Sequence, residues 1–165
     1  LVPEIPVPAK QISKAVVKAQ RVSETITHIV ISIIIMVLFG LDEHFQWADW
    51  AGWIIIGLGG FTVFSAIWSI VFGPILLQRH WRYDVNEDYV QLKHGAMIEK
   101  HVTIPMTKVQ SVKLKQGPIQ RKYGLCSIEI GTMGTTHTIP GVSEKEAKPL
   151  RDKIAYFARI KEVET

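Results

Sequence analysis

The sequence predicts an α+β chain in which a two-helix transmembrane hairpin is followed by an antiparallel β-barrel capped by a C-terminal helix. Three observations carry this expectation. Asp, Glu, Lys and Arg are absent from residues 25–41 and again from residues 50–77. From Trp81 onward, apolar residues recur at alternate positions between turn residues, and from Ala147 the apolar repeat becomes helical. The 165 residues include one Cys, Cys126, which excludes an intramolecular disulfide and any cysteine-cluster metal site.

Residues 1–24 are expected to be an extended lead, marked by Pro3, Pro6 and Pro8, that runs into a basic amphipathic juxtamembrane helix. Turning ~100° per residue, Ile12, Ala15, Val16, Ala19 and Val22 fall on one side, with Lys10, Lys14, Lys18 and Arg21 on the other. Those four basic residues are candidate juxtamembrane lipid contacts, each worth ~1 kcal/mol beside an anionic surface. The same charges also serve as a topology signal.

Residues 25–77 are expected to form the hairpin, with spans at 25–41 and 50–77. The second stretch holds 28 uncharged residues; at ~1.5 Å per residue it exceeds a ~30 Å hydrocarbon core. The first holds 17. It is read as a span and not a cleaved signal, because it begins well inside the chain and its flank Gly40-Leu41-Asp42-Glu43 lacks a small-x-small site. Only eight residues separate the two, so the helices are antiparallel neighbours. That connector carries three acids and no Lys or Arg, whereas basic residues flank the opposite ends, so both termini are expected in the cytoplasm. Trp47, Trp50 and Trp53 at one end, and Trp81 at the other, are expected at headgroup level. Ser65, Ser69 and Gly73 recur every four residues as a candidate helix-packing face, to be filled either by the first span or by a second protein.

Residues 78–165 are expected to be a cytoplasmic strand-rich domain. Trp81, Tyr83 and Val85 alternate before Asn86-Glu87-Asp88; Tyr89, Val90 and Leu92 run into His94-Gly95; and residues 97–104 end at Pro105. Residues 109–114 stop at Gly117-Pro118, Cys126, Ile128 and Ile130 lead to Met133-Gly134, and residues 135–139 return to Pro140-Gly141. Six or seven short strands suit a barrel or paired sheets. Ser143 followed by Glu146 is the spacing of a capping box. The helix it opens presents Ala147, Leu150, Ile154 and Phe157 on one face, with Pro149 expected to bend it.

The run Trp81-Arg82-Tyr83-Asp84-Val85, the turn before Gly95, Ile104-Pro105, Val109-Gln110-Ser111-Val112, Gln116-Gly117-Pro118-Ile119-Gln120-Arg121 and Gly124-Leu125 resembles the bacterial pleckstrin-homology domain of YdbS-like membrane proteins. Met133-Gly134 departs from that pattern, which has a small residue before the Gly. The resemblance implies a pleckstrin-homology-like split barrel, a membrane setting, and a larger companion membrane protein with related domains. It implies no reaction.

The residues themselves offer no chemistry. His28, His44, His80, His94, His101 and His137 are dispersed without a metal-ligand spacing, and Ser127 lacks a nucleophile-elbow context. No enzyme activity, cofactor or metal is therefore expected. Residues 78–165 carry 15 basic and 10 acidic residues, and Lys108, Lys113, Lys115, Arg121 and Lys122 gather around the Gln116 turn as candidate lipid or partner contacts. Nucleic acid is not an expected partner, because no aromatic residues interleave with that cluster. The function expected is a non-enzymatic membrane-anchored subunit or scaffold of a cell-envelope complex, multi-pass in a bacterial cell membrane, with lipid and a companion membrane protein as partners. Two alternatives are an anionic-lipid-sensing module at the inner leaflet and an accessory subunit of a transporter.

Overall fold

The computed structural model describes residues 8–45, 49–96 and 98–163; Pro3 and Pro6 of the lead, Trp47 of the connector and Met97 at an expected strand start lie outside the described residues. The chain divides into two compact units, one formed by Leu1–Val17 with Leu76–Thr165 and the other by Lys18–Ile75.

The chain order is β1 (Lys10–Gln11), α1 (Ala15–Phe45), α2 (Asp49–Ile67), a π-helical turn (Trp68–Phe72), α3 (Gly73–His80), β2 (Arg82–Val85), β3 (Tyr89–His94) and β4 (Lys100–Pro105). A 3-10 turn (Met106–Lys108) leads to β5 (Ser111–Lys115), α4 (Pro118–Lys122), β6 (Leu125–Gly131), β7 (Thr136–Ser143) and α5 (Glu144–Val163).

Two helices, Ala15–Phe45 and Trp50–His80, are long and apolar enough to cross a membrane. At ~1.5 Å per residue each exceeds a ~30 Å hydrocarbon core. The second is regular except at its π-helical turn, and its own sequence explains the exception. Pro74 has no N–H to give to the Ile70 carbonyl, and just before it the Gly73 N–H bonds the Trp68 carbonyl, five residues back.

The seven strands form two antiparallel sheets, β1-β2-β3-β4 and β5-β6-β7. Among the described residues no strand pairing joins one sheet to the other, so the sheets are not closed into a ring. The architecture is the α+β arrangement expected of a pleckstrin-homology-like domain, with β2 to β7 each meeting an alternating run of the sequence. Val90, Ile104, Met106, Ile128, Ile130 and Ile139 fill the interior, and α5 lies against β5, β6 and β7 with Ala147, Leu150 and Ile154 buried. Full burial of a side chain such as Ile154 contributes about 1.5–3 kcal/mol.

Strand β1 and α4 have no counterpart in the sequence reading. Lys10 lies on β1 and not on the juxtamembrane helix, which starts only at Ala15. Ile12 and Val16, expected on a lipid-facing stripe, are 2% and 5% exposed. Val16 lies against Gly141, and the Ser13 N–H donates to the Gly141 carbonyl at 3.1 Å. The apolar residues that opened the amphipathic pattern are therefore core residues of the sheet domain. Trp81 is 8% exposed and stacks on His94, so its ring is packed against the sheet domain.

The Gln116 to Gln120 motif is a brace. Gln116 Nε2 donates to the Leu125 carbonyl at 3.0 Å, Gln120 Nε2 donates to Ser127 Oγ at 2.9 Å, and Gln120 Oε1 accepts from the Gly117 N–H at 3.1 Å. Both glutamine side chains are thereby committed to holding α4 on β6. Pro118 at the start of α4 loses nothing by lacking an N–H there.

Candidate functional site

β1 and β2 place Lys10 directly opposite Tyr83 and Gln11 opposite Arg82. Opposed residues of an antiparallel pair share a face, so Lys10 and Tyr83 leave the sheet on one side. The first turns of α5 reach that side with Lys145, Glu146, Pro149, Leu150 and Lys153, which recur at helical spacing along one stripe. Together with Gln11 these residues enclose an open cleft of about 440 Å³. Tyr83, at 4% exposed, and buried Leu150 contribute its apolar walls, while its lysines and Glu146 are solvent-exposed.

The cleft has an uneven charge. Three ammonium groups, those of Lys10, Lys145 and Lys153, share it with one carboxylate, Glu146. Lys153 Nζ donates to the Val85 carbonyl at 3.2 Å and lies 5.5 Å from the Phe157 ring centre. Among the described residues, Lys10, Lys145 and Glu146 have no ion pair or side-chain hydrogen bond. Burial, and after it the Glu146 carboxylate, push the Tyr83 phenol above its ordinary 10.0. Tyr83 is therefore a protonated O–H donor at neutral pH. Pro149, which has no N–H to give to the Lys145 carbonyl one helical turn earlier, lines the cleft as well. Such a site can bind and orient an anion.

The residues singled out from the sequence are distributed otherwise. Lys108, Lys113, Lys115, Arg121 and Lys122 are all exposed, and none lines the cleft. Lys113 sits opposite Glu129 in the β5–β6 register, and Lys115 pairs with the same carboxylate at 3.4 Å. Part of that cluster's charge is thus already opposed. Lys14, Lys18 and Arg21 are exposed, and only Lys10 of the juxtamembrane set reaches the cleft. Within the unit of spans, Ser65 Oγ lies 3.3 Å from His28 Nε2 of α1 and donates to the Thr62 carbonyl at 3.0 Å. The Ser69 hydroxyl is buried without a partner in the π-helical turn, and a Cβ on Gly73 would meet nothing within 4 Å. Of the three small-residue positions, Ser65 is the one within hydrogen-bond distance of an α1 side chain.

Sequence reasoning missed Tyr83, Lys145, Glu146 and Lys153 as a group. Tyr83 reads as a strand residue, Glu146 as a cap and the two lysines as surface charge. The available signal was that Lys145, Glu146, Pro149 and Lys153 share a helical stripe. Cys126 is buried, and burial pushes its thiol pKa up, which fits a core residue. Among the described residues no three His, Cys, Asp or Glu side chains are grouped to hold a metal ion.

A family profile described as Bacterial PH domain matches residues 15–158, a segment that includes both apolar helices and strands β2 to β7. The UPF0699 transmembrane protein YdbS of Bacillus subtilis (strain 168) is 33% identical over 153 residues, covering 93% of this chain and 94% of that protein. No solved structure matches.

Proposed function

The chain belongs to the bacterial PH domain family, and from that premise we propose that it is a non-enzymatic, membrane-anchored subunit or scaffold of a cell-envelope membrane complex. The observation that carries this reading is the unfilled surface of the second span. Gly57, Gly60 and Gly73 each have open space where a Cβ would stand, although a neighbouring helix of the same hairpin is present. Small residues gain little from fluid lipid chains but let another helix approach closely. A companion membrane protein is the partner that such a surface suits, with both termini of this chain in the cytoplasm. The acid-rich connector and the basic flanks of the spans support that orientation. A headgroup reader built on Lys113 and Lys115 is the weaker reading, because Glu129 opposes both.

Extraction from native membranes in mild detergent followed by native mass spectrometry tests the proposal. A stoichiometric companion is expected with the wild-type chain, and its loss is expected in Ser69→Leu and Gly73→Leu variants that retain a folded hairpin. A wild-type chain found only as a monomer, or leucine variants that keep an unchanged complex, would refute it.

A further inference from the structure

Neither anchoring nor assembly uses the cleft between β1, β2 and α5, which lies wholly within the unit formed by Leu1–Val17 and Leu76–Thr165. We propose that this cleft binds a phosphate ester carrying a hydrogen-bond donor, a primary ammonium or a hydroxyl, beside its phosphate. The phosphoethanolamine and phosphoglycerol headgroups of membrane lipids and their free water-soluble forms share that chemistry.

The lining groups select for it. Lys10 and Lys145 are point-charge donors without an acid of their own, and the Tyr83 O–H is a third donor set deeper in the same cleft. Three separate donors around a void suit a tetrahedral oxyanion, which lysine binds as a point charge. A planar carboxylate is better matched by the two-pronged fork of an arginine, and no arginine lines the cleft. Glu146 adds the second half of the specificity. Its carboxylate shares the cleft with three lysines, yet among the described residues it is paired with none. A ligand that is purely anionic would be repelled by it, whereas an ammonium or hydroxyl next to the phosphate would satisfy it. The cleft's roughly 440 Å³ lies near the small end of the ~300–1,000 Å³ spanned by ligand cavities. That is room for a headgroup, and a nucleotide's base would lack an exposed aromatic to stack on.

The inference does not rest on the assembly reading, since a chain that purifies alone can still bind. The test has two arms on the full chain. In detergent micelles the protein is titrated calorimetrically with phosphoethanolamine, with phosphocholine as the analogue that lacks an N–H or alcohol O–H donor beside the phosphate. In phosphatidylcholine nanodiscs with and without phosphatidylethanolamine, hydrogen exchange is followed in β1 and the first turns of α5. Saturable binding of the soluble ethanolamine compound in preference to the choline one is expected if the ligand is free. Slowed exchange only in ethanolamine-containing discs, with the soluble compound silent, would support the proposal with a lipid source. In whichever arm responds, Lys10→Gln with Lys145→Gln should weaken binding about tenfold, the scale of losing charge-assisted hydrogen bonds. Tyr83→Phe should weaken it without loss of thermal stability, and Lys113→Gln with Lys115→Gln should leave it unchanged. Silence in both arms would overturn the proposal, as would a Lys10/Lys145 variant that binds like wild type or a Lys113/Lys115 variant that loses as much.

Discussion

Trp81 and His94 stack with ring centres 5.0 Å apart and planes 12° from parallel, the indole just ahead of β2 and the imidazole at the end of β3. The register explains the meeting. Arg82 lies opposite Lys93, so the residues one step outward on each strand are Trp81 and His94. The stack covers the imidazole, whose Nδ1 is buried without a hydrogen-bond partner.

Burial lowers the His94 pKa below its ordinary 6.5, and the charges of Lys100 and His137 push it the same way. The folded state therefore holds this ring neutral while the unfolded chain takes up a proton near 6.5. Stability is then complete above that value, declines as pH falls through it, and levels off below the lower folded value. Thermal unfolding of the purified protein from pH 8 to 5 should show a declining step that His94→Phe, which keeps an aromatic on Trp81, reduces. An unchanged pH profile in that variant would remove His94 as its source.

Gly141 should not tolerate alanine. Its φ of +61° is left-handed, and a Cβ there would fall on Val16 Cγ2. The conformational cost and the forced repacking together come to about 2–4 kcal/mol. Gly134→Ala, where a Cβ meets nothing, should stay within about 0.5 kcal/mol. Adding Val16→Ala to Gly141→Ala should recover part of the loss in midpoint, and equal midpoints for both glycine variants would contradict the docking of the N-terminal segment on β7.

The orientation across the membrane can be read with one thiol at a time. Cys126 is buried and its thiol pKa raised, so it can remain in place. A Gln46→Cys variant should react with an impermeant thiol reagent in intact cells, and an Ile160→Cys variant only after permeabilisation. The reverse pattern would invert the topology.

Most of the fold was legible because its signals are local. Alternation from Trp81 to Ile139 marks strands over a few residues, and the two charge-free stretches announce themselves by length. Strand β1 was hidden for the opposite reason. Lys10 and Gln11 are too few to alternate, and their partner strand begins only at Arg82. The candidate site failed in the same way. A basic cluster between Lys108 and Lys122 is visible because it is contiguous, but the Glu129 that opposes it arrives through strand register. Lys10, Tyr83 and Lys145 become neighbours only when three distant segments fold together. The stack of Trp81 on His94 was hidden for the same reason, since it depends on the β2–β3 register and not on any local pattern.

Strands β1 and β2 are sheet neighbours, and the 70 residues that join them contain both apolar helices. During synthesis β1 leaves the ribosome first but has nothing to pair with until β2 emerges, after both spans have been made. Closing so long a loop from a disordered chain would cost about 4 kcal/mol by chain statistics alone, before any constant term. If both apolar helices insert as an antiparallel pair, that cost falls, because the chain returns to the side it left. On that orientation the β1–β2 pairing acts as a latch that closes once both helices have entered the bilayer and the chain has come back. With one helix uninserted, β1 and β2 would lie on opposite sides of the membrane, and Ile12 and Val16 would lose the packing that buries them.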